Sequence, residues 1–487
     1  MKKISWKKSK PQIFGLNKNF AIGMVEENLQ PISFEFPQHE LLFPVVEGAE
    51  NPKEELIYLL KIAAEVEHTL MVQYLYAAYS IKEEDSSELR TTLINIAIQE
   101  MGHFLAVQNL ILSIGGIENI HLNKSEYRPT SSDNPLPYTL EPITPNLLAK
   151  FVAIEAPLDI PLQFKQEVDD IHKIAKGKGG VSLNPVGGLY MKIFWLFQKD
   201  DTPVFDLMVL SPSENLKAHW HINDNDFLPE SEIEKYEAVY DIWDRSGAMG
   251  PPHNITLSQV HKRDDALKLV YQISSQGEGA NFDDDIPTHF ELFLAAYRNY
   301  NPTAQSFFNA PINPITRPNP EFSLPVKIEN SYSLLWSSLF NVLYSSLLLD
   351  IYSSMFYKQF SIDTTKKFTG IIFTSMRTVI TSISNILLKL PLLDNGFNYN
   401  SEPRCAATFE VEPNFVLNQE KEKVDLLNKA LVSKIRDKVN LIKAHSDFQK
   451  HLDADGLEER PIVSFSLTQA ENYCLRKSQL LPIINLT

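Results

Sequence analysis

Two long stretches near the start of the chain repeat apolar residues every three or four positions, which is the spacing of an α-helix. The pattern predicts helices over residues 53–80 and 87–113. The second helix ends before Gly115 and Gly116, a usual C-terminal signal. Only a short polar linker separates the two helices, so we expect them to pair as an antiparallel hairpin.

Apolar periodicity continues through much of the remaining chain. The stretch that begins at Thr144 has a threonine suited to cap a helix, Pro145 at the first helical position and a closing Pro157. Further helices are predicted around residues 187–198, 264–275 and 417–448, with two long apolar helices between about 330 and 393. Strand patterns are few, so the predicted fold class is mainly α.

The composition narrows the function classes. The 487 residues carry a formal net charge of −16, which argues against nucleic acid or an anionic membrane as partner, since both need a basic surface. No apolar run follows the basic N-terminal tip, so we interpret it as a frayed, solvated end rather than a signal peptide. The two cysteines, Cys405 and Cys474, form no disulfide framework or metal motif, which fits a reducing cytoplasm.

One uncharged stretch, residues 331–349, just reaches the length of a membrane span. Several serines and Asn341 interrupt it, and Asp350 follows directly. These polar residues favour a buried helix of a bundle over a membrane span.

The second predicted helix places two hydrophilic side chains, Glu100 and His103, in an apolar stretch. The apolar residues that share the face of Glu100 are Leu89, Leu93, Ile96, Ala97, Phe104, Val107 and Ile111. A lone buried carboxylate is costly or takes up a proton, so Glu100 needs a paired cation or a metal ion. Glu-x-x-His is the spacing at which both side chains bind one ion, although the motif also occurs by chance in many helices.

The first predicted helix offers a second carboxylate. Glu67 shares its face with apolar residues, whereas Glu65 lies among more polar ones, so Glu67 is expected to point inward. Glu65 and His68 also form a Glu-x-x-His pair and remain the alternative ligands. Tyr74 lies two turns beyond Glu67 on the same face, where it is either a relay for an electron or proton or an ordinary core aromatic.

Two later segments add further candidates. Glu155 shares its side of a predicted helix with apolar residues, although a carboxylate at a helix end also reaches water easily. Glu278 follows another predicted helix, and taken alone it is better explained as a solvated loop acid than as a ligand. His289 comes after Pro287, at the start of the next apolar stretch.

Taken together, four segments each direct one glutamate toward a common interior, and two of them also supply a histidine. This is the ligand inventory of a carboxylate-bridged metal site in a helix bundle. Several carboxylates with one imidazole for each ion suit iron, with manganese as the alternative, better than zinc. The sequence therefore predicts one or two iron ions.

Several motifs resemble those of the bacterial ferritin-like proteins grouped with iminophenyl-pyruvate dimer synthases: EVEHTLMVQYLYAAYSI, QEMGHFLAVQNLILSIGG, FVAIEAP and QGEG. The stretches FNVLYSSLL and MRTVITSISNILLKLPL are similar to that family too, and the likeness spans roughly residues 50–410. The resemblance implies a ferritin-like four-helix bundle core elaborated by additional helices and long loops. It also implies oxidative coupling of two imines derived from an aromatic 2-oxo acid, as in bisindole pigment biosynthesis.

Carried over residue by residue, the resemblance makes the metal positions Glu67, Glu100, His103, Glu155, Glu278 and His289. One feature departs from the wider ferritin-like pattern. The last glutamate and histidine are not three residues apart on one helix, because Gly277, Gly279 and Pro287 interrupt the segment. This departure leaves open whether the site holds one ion or two.

The expected organisation has three parts. They are an N-terminal arm over residues 1–50, a ferritin-like metal-binding bundle over 51–300 with an inserted aromatic-rich segment at about 158–255, and a C-terminal helical region over 301–487 packed on the bundle. We expect the N-terminal arm to be irregular.

Together with the ligand inventory, the resemblance implies a non-haem iron oxidoreductase of secondary metabolism. Its expected partners are O₂ or peroxide and a small aromatic substrate, an amino-acid-derived imine or 2-oxo acid. Metal storage or detoxification, and a metal-free scaffold that keeps a ferritin-like shape, are the alternatives. A homodimer is compatible with the sequence, and neither nucleic acid nor a membrane is expected as a partner.

Overall fold

The computed structural model describes most of the chain. The described residues are 3–9, 13–14, 41–82, 88–122, 139–157, 160, 162–176, 186–199, 209–210, 212–244, 255–277, 287–301, 306–318, 325–396, 398–399, 402–458 and 461–484.

Helices dominate these residues, as the periodicity predicts. Their bounds are α1 (Pro52–Tyr79), α2 (Glu88–Gly115), α3 (Pro145–Ile154), α4 (Leu162–Lys176), α5 (Val186–Phe197), α6 (Glu230–Ile233), α7 (Tyr240–Asp244), α8 (Arg263–Gly277), α9 (His289–Asn299), α10 (Ser331–Phe356), α11 (Ile362–Thr374), α12 (Thr381–Leu387), α13 (Lys421–Ala444), α14 (Phe448–Asp455) and α15 (Val463–Ile484). The strands of the described residues are β1 (Lys3–Ser9), β2 (Ile13–Phe14), β3 (Leu41–Glu47), β4 (Val209–Leu210), β5 (Pro314–Ile315) and β6 (Val326–Lys327). The prediction of a mainly α fold is confirmed.

Helices α1 and α2 form the predicted antiparallel hairpin, which is the centre of the bundle. Asn51 caps α1, because its side-chain oxygen accepts the N–H of Glu54 at 2.9 Å, and Pro52 occupies the first turn. Helix α5 packs on α1. Helices α8 and α9 both contact α2, and α3 packs against α9. The hairpin thus has helices from four later parts of the chain around it.

The cap of α3 also matches its prediction. The Thr144 hydroxyl accepts the N–H of Leu147 at 3.1 Å, and α3 begins at Pro145. The helix ends at Ile154, so that Glu155 is its C-terminal cap residue. This ending places the Glu155 side chain at the end of α3 that faces the hairpin.

The N-terminal tip is not frayed, and the expectation of an irregular arm was wrong for the described part of residues 1–50. Strand β1 pairs antiparallel with β3, from Lys3 opposite Glu47 to Ser9 opposite Leu41. A side chain at Gly188 would place its Cβ 2.2 Å from the Leu42 carbonyl oxygen, so only glycine lets α5 lie this close to β3. The pairing could not be seen in the sequence because its two strands are far apart along the chain.

The C-terminal region packs long apolar helices around α10. Among the described residues, two stretches are long and apolar enough to cross a membrane, Ser331–Gln359 and Ile362–Leu387, and 83% and 61% of their apolar windows are buried inside the protein. A π-helical turn, Ser375–Ile380, joins α11 to α12. This burial agrees with the prediction of a bundle helix over residues 331–349. The sequence did not predict α4, α6, α7, α9, α14 or α15.

Candidate metal centre

Four helices bring five of the predicted ligand residues together in the interior. They are Glu67 of α1, Glu100 and His103 of α2, Glu155 at the end of α3 and His289, the first residue of α9. The exposed fraction of each residue is 2% or less. Titratable side chains this deeply buried need partners, because burying a charge without compensation is very costly.

Glu100 lies at the middle of the cluster and faces both histidines. Its Oε2 atom is 3.0 Å from Nδ1 of His103, and its Oε1 atom is 2.8 Å from Nδ1 of His289. The two oxygens of one carboxylate therefore point toward two different imidazole nitrogens. This is the arrangement of a carboxylate that bridges two positions.

One further glutamate accompanies each histidine. Oε2 of Glu67 lies 3.4 Å from Nδ1 of His103, and Oε2 of Glu155 lies 3.9 Å from Nδ1 of His289. The centre consequently has two similar halves that share Glu100. We call Glu67 with His103 the hairpin half, and Glu155 with His289 the docking half.

A tyrosine binds the outer glutamate of each half. The Tyr190 hydroxyl donates to Oε1 of Glu67, and the Tyr74 hydroxyl donates to Oε1 of Glu155. Tyr74 also packs against the rings of Phe151 and Phe293, at centroid distances of 4.7 and 4.8 Å. Both outer carboxylates are thus fixed in orientation by a buried phenol.

A glutamine lies behind each histidine. Nε2 of His103 is 2.9 Å from Oε1 of Gln276, and Nε2 of His289 is 3.0 Å from Oε1 of Gln99. The two halves therefore match in four respects: each has a glutamate, a histidine, a tyrosine behind the glutamate and a glutamine behind the histidine.

The environment of the cluster shifts the pKa values of Glu67 and Glu100 in opposite directions. Burial and the charge of Glu100 raise the pKa of Glu67 from its usual value to about 8. Burial alone would also raise the pKa of Glu100, but His289 and His103 outweigh it and hold that pKa below its usual range. Glu100 is therefore the carboxylate held as an anion, while Glu67 favours the protonated form.

The histidine between these two glutamates is shifted in the opposite direction. Burial alone would lower the pKa of His103, but hydrogen bonds and charges from Glu100 and Glu67 raise it well above its usual value. Burial and the nearby Glu155 likewise raise the pKa of the Tyr74 phenol well above its usual value, so that its proton is retained.

The donor set fits a metal ion. Glu100, His103 and His289 each offer a ligand atom, and these atoms lie within 4.8 Å of one another. Glu100 Oε1 and His289 Nδ1 are both fully buried and lack a hydrogen-bond partner, although they are only 2.8 Å apart. Two close acceptor atoms that do not bond to each other are what a shared cation would join.

The other sequence candidates lie elsewhere. Glu65 Oε1 is 2.7 Å from Nε2 of His121, and the His68 ring nitrogen is 2.5 Å from the Tyr344 hydroxyl. The structure thus places Glu67, and not the alternative pair Glu65 and His68, in the cluster. Glu278 lies outside the described residues.

The end of α8 nevertheless reaches the centre. A Cβ at Gly277, the last residue of α8, would stand 3.4 Å from Oε2 of Glu155. Helix α8 ends at Gly277, and α9 begins at His289. His289 enters the cluster from the start of α9, so its approach does not need a Glu-x-x-His spacing.

Sequence reasoning missed three residues of the centre: Tyr190, Gln99 and Gln276. Helix α5 is buried on all sides, so its apolar pattern has no distinct face on which Tyr190 would stand out. Gln99 and Gln276 directly precede Glu100 and Gly277. That adjacency was the available signal, but neutral amides carry none of the charge imbalance that drew attention to the glutamates.

Comparison with known proteins identifies the bundle. Residues 60–298 match the family model described as Ferritin-like, so the chain contains a ferritin-like domain. The chain is 29% identical to a 2-imino-3-(indol-3-yl)propanoate dimerase of Chromobacterium violaceum over 146 residues, which cover 24% of this chain and 14% of that protein. It is 24% identical to a dichlorochromopyrrolate synthase of Lentzea aerocolonigenes over 179 residues, which cover 27% of this chain and 17% of that protein.

These matches confirm the resemblance that the sequence motifs indicate. They cover 14% and 17% of the length of the two relatives, which are biosynthetic enzymes by their names. No solved structure matches the chain.

Proposed function

We propose that this chain, through its ferritin-like domain, is a non-haem iron oxidoreductase of secondary metabolism. Its substrate would be an aromatic imine or 2-oxo acid derived from an amino acid, which it oxidises or couples oxidatively. O₂ or peroxide would be the oxidant, and the proposed location is the cytoplasm.

The observation that carries the proposal is the position of Glu100 between two glutamate–histidine pairs. Each half offers one carboxylate and one imidazole nitrogen, and Glu100 contributes one oxygen to each half. Hard oxygen ligands with a single imidazole favour iron or manganese. The matched halves support two ions more than one.

The names of the two relatives support the substrate class. One is called a dimerase of 2-imino-3-(indol-3-yl)propanoate, which is an aromatic imino acid, and the other a dichlorochromopyrrolate synthase. Because the matches cover a small share of those proteins, the substrate of this chain is an inference from similarity.

In this proposal the side chains of the centre would act as ligands, and the redox chemistry would come from the bound iron. Glu67, Glu100, His103, Glu155 and His289 would hold the iron, together with Glu278 as a further candidate. Bound iron would supply the one-electron and O₂ chemistry that these side chains lack.

Tyr74 would hold a proton at Oε1 of Glu155 and pass it to or from that carboxylate. The Phe151 and Phe293 rings that pack on Tyr74 exclude water from this hydrogen bond. Tyr190 would orient Glu67 in the same manner. In this assignment the chain contributes ligands, orientation and one protonated phenol in each half.

A direct test compares wild-type protein with Glu100→Gln, both purified from iron-supplemented cultures. We expect the wild type to contain iron and to consume O₂ with aromatic 2-imino acids, and E100Q to lose both properties. The matched control is Glu237→Gln, a buried glutamate that pairs with His261 at 2.9 Å and should leave the iron content unchanged. Wild-type protein that contains no iron and binds none on titration would refute the proposal.

The same variant distinguishes the metal-free scaffold. The scaffold is favoured by one observation: the raised pKa of His103 would let an imidazolium balance the charge of Glu100 without a metal. In a scaffold, added iron should leave the stability of both the wild type and E100Q unchanged. In a metal protein, E100Q should abolish the stabilisation that added iron gives to the wild type.

A further inference from the structure

The two histidines of the centre, His103 and His289, have the same pair of contacts on their ring nitrogens. In both, Nδ1 faces Glu100, while Nε2 contacts the side-chain oxygen of a glutamine, Gln276 for His103 and Gln99 for His289. An amide oxygen can only accept a hydrogen bond, so the nitrogen that contacts it must carry the hydrogen. The nitrogen left to bind a metal ion is then Nδ1.

A third side chain supports this assignment for His103. The Thr256 hydroxyl donates to the same Oε1 atom of Gln276 at 2.9 Å. Two donors thus converge on one amide oxygen, which fixes the orientation of the Gln276 amide.

The position of Thr256 depends on a glycine of α2. A Cβ at Gly102 would stand only 2.3 Å from Cγ2 of Ile255, so the segment that carries Thr256 can cross α2 here only because residue 102 has no side chain. Gly102 directly precedes His103. The close approach therefore places Thr256 beside the glutamine that binds this histidine.

The choice of a neutral amide has an electrostatic consequence. Histidine ligands of metals usually donate their second N–H to a carboxylate, a carbonyl or water. Here the centre already contains Glu67, Glu100 and Glu155 at 2% exposure or less. Two more carboxylates behind the histidines would add negative charge to a buried site, whereas glutamines orient the rings without adding any.

We propose that Gln99 and Gln276 are positioning residues, which hold His289 and His103 with Nε2 protonated so that each ring presents Nδ1 to a metal ion. The inference rests on the proposed function as a metal protein. It adds that each half of the centre has its own glutamine, so that the two ion positions are tuned separately.

The test replaces each glutamine by leucine, which has a similar size but accepts no hydrogen bond. Wild type, Gln99→Leu and Gln276→Leu are titrated anaerobically with Fe(II), and with Co(II), whose absorption spectrum reports the ligand field. We expect each leucine variant to bind one ion about 10- to 100-fold more weakly, the usual effect of losing such a partner, with an altered Co(II) spectrum for that ion only.

Four further variants separate positioning from a general loss of packing. Gln99→Glu and Gln276→Glu keep an acceptor oxygen and should bind the ion more tightly than the corresponding leucine variants do. Gln108→Leu is the matched control on α2, because Gln108 binds the backbone of His121 instead of a histidine ring, and it should leave metal affinity unchanged. Thr256→Val removes one hydroxyl and should weaken binding of the ion in the hairpin half, by a smaller factor than Gln276→Leu does.

The outcomes distinguish this inference from the function on which it rests. Wild-type protein that binds neither Fe(II) nor Co(II) overturns the proposed function and the inference together. Wild-type protein that binds metal, while both leucine variants bind it with unchanged affinity and spectrum, overturns the inference alone. A crystal structure of the Co(II)-loaded wild type in which Nε2 of His103 or His289 is the ligand atom also overturns it.

Discussion

Glu100 and His289 face each other across 2.8 Å at the centre of the bundle, and neither of the two facing atoms has a hydrogen-bond partner. One residue lies in the first helical hairpin, and the other begins a helix at the far end of the ferritin-like domain. The interruption by Gly277 and Pro287 was the weak point of the sequence prediction. The structure nevertheless places His289 beside Glu100.

Glu67 and Glu65 allow a matched pair of variants on one helix. Glu67→Gln should weaken metal binding strongly, because Glu67 lies 3.4 Å from His103 and is 2% exposed. Glu65→Gln should leave metal binding unchanged, because Glu65 pairs with His121 outside the cluster. Iron content and affinity measured by anaerobic titration check this prediction, and equal losses in the two variants would contradict it.

Tyr74 is predicted to matter for turnover more than for metal binding. Tyr74→Phe keeps the ring that packs on Phe151 and Phe293 but removes the proton from Glu155. We expect iron content to persist and the rate of substrate-dependent O₂ consumption to fall about 100-fold, a usual effect of losing a proton-transfer group. Tyr76→Phe is the control, because the Tyr76 hydroxyl bonds the Pro311 carbonyl at 2.5 Å instead. An unchanged rate in Y74F would show that Tyr74 is only a core aromatic.

A fully buried ion pair ties α15 to α10 in the C-terminal region. Nζ of Lys477 lies 2.7 Å from Oδ1 of Asp350, and the Tyr473 hydroxyl donates to Oδ2 of Asp350 at 2.5 Å. Burial raises the pKa of Asp350 and lowers that of Lys477, so neither charge is tolerated without the other.

Removing one partner of this pair should therefore destabilise the folded protein. We expect Lys477→Met to lower the free energy of unfolding by about 3–5 kcal/mol, and the double variant D350L/K477M to recover most of that loss. The control is Lys443→Met, which breaks an exposed pair between Lys443 and Glu471 of α15, 2.6 Å apart. It should lower the free energy of unfolding by less than about 1 kcal/mol. Denaturant unfolding measures all three, and a double variant as unstable as K477M would contradict the argument.

His451 should make the C-terminal region sensitive to acid. Burial among aromatic rings, with a smaller contribution from Lys389, lowers the pKa of His451 from its usual value to about 3. Between that value and the unfolded pKa of about 6.5, the unfolded chain binds the proton and the folded chain does not. Stability from this residue is therefore full above about pH 6.5 and falls as the pH decreases, by on the order of 1 kcal/mol per pH unit.

The measurement is denaturant unfolding between pH 4.5 and 7.5. His451→Asn removes the titration, so its unfolding free energy should depend less on pH than that of the wild type. His219→Asn changes an exposed histidine and should follow the wild-type profile. Parallel profiles for wild type and H451N would show that His451 does not supply this dependence.

Much of the bundle could be predicted because its signals are local. The predicted bounds of α1 and α2 are within two residues of those observed, since apolar periodicity and flanking caps are both written in the neighbouring sequence. The sequence indicated Glu67, Glu100 and Glu155 because a carboxylate on an apolar helix face needs a compensating partner.

The rest depended on contacts between distant parts of the chain. Strand β1 finds its partner β3 only after the chain folds back, and no local pattern encodes that pairing. Tyr190 reaches Glu67 from a helix that is buried all round. Gln99 and Gln276 are neutral, so only their geometry relative to the histidines reveals them.

The two halves of the centre differ in how the chain assembles them. Glu67, Glu100 and His103 belong to one hairpin, which forms from contacts that are near in sequence, whereas Glu155 and His289 arrive only when α3 and α9 dock. Closing the long loops that bring α3 and α9 to the hairpin costs more conformational entropy than closing the hairpin itself. Glu100 is thus where ligands from one hairpin meet ligands from distant helices, and an ion bound there would tie α3 and α9 to the hairpin.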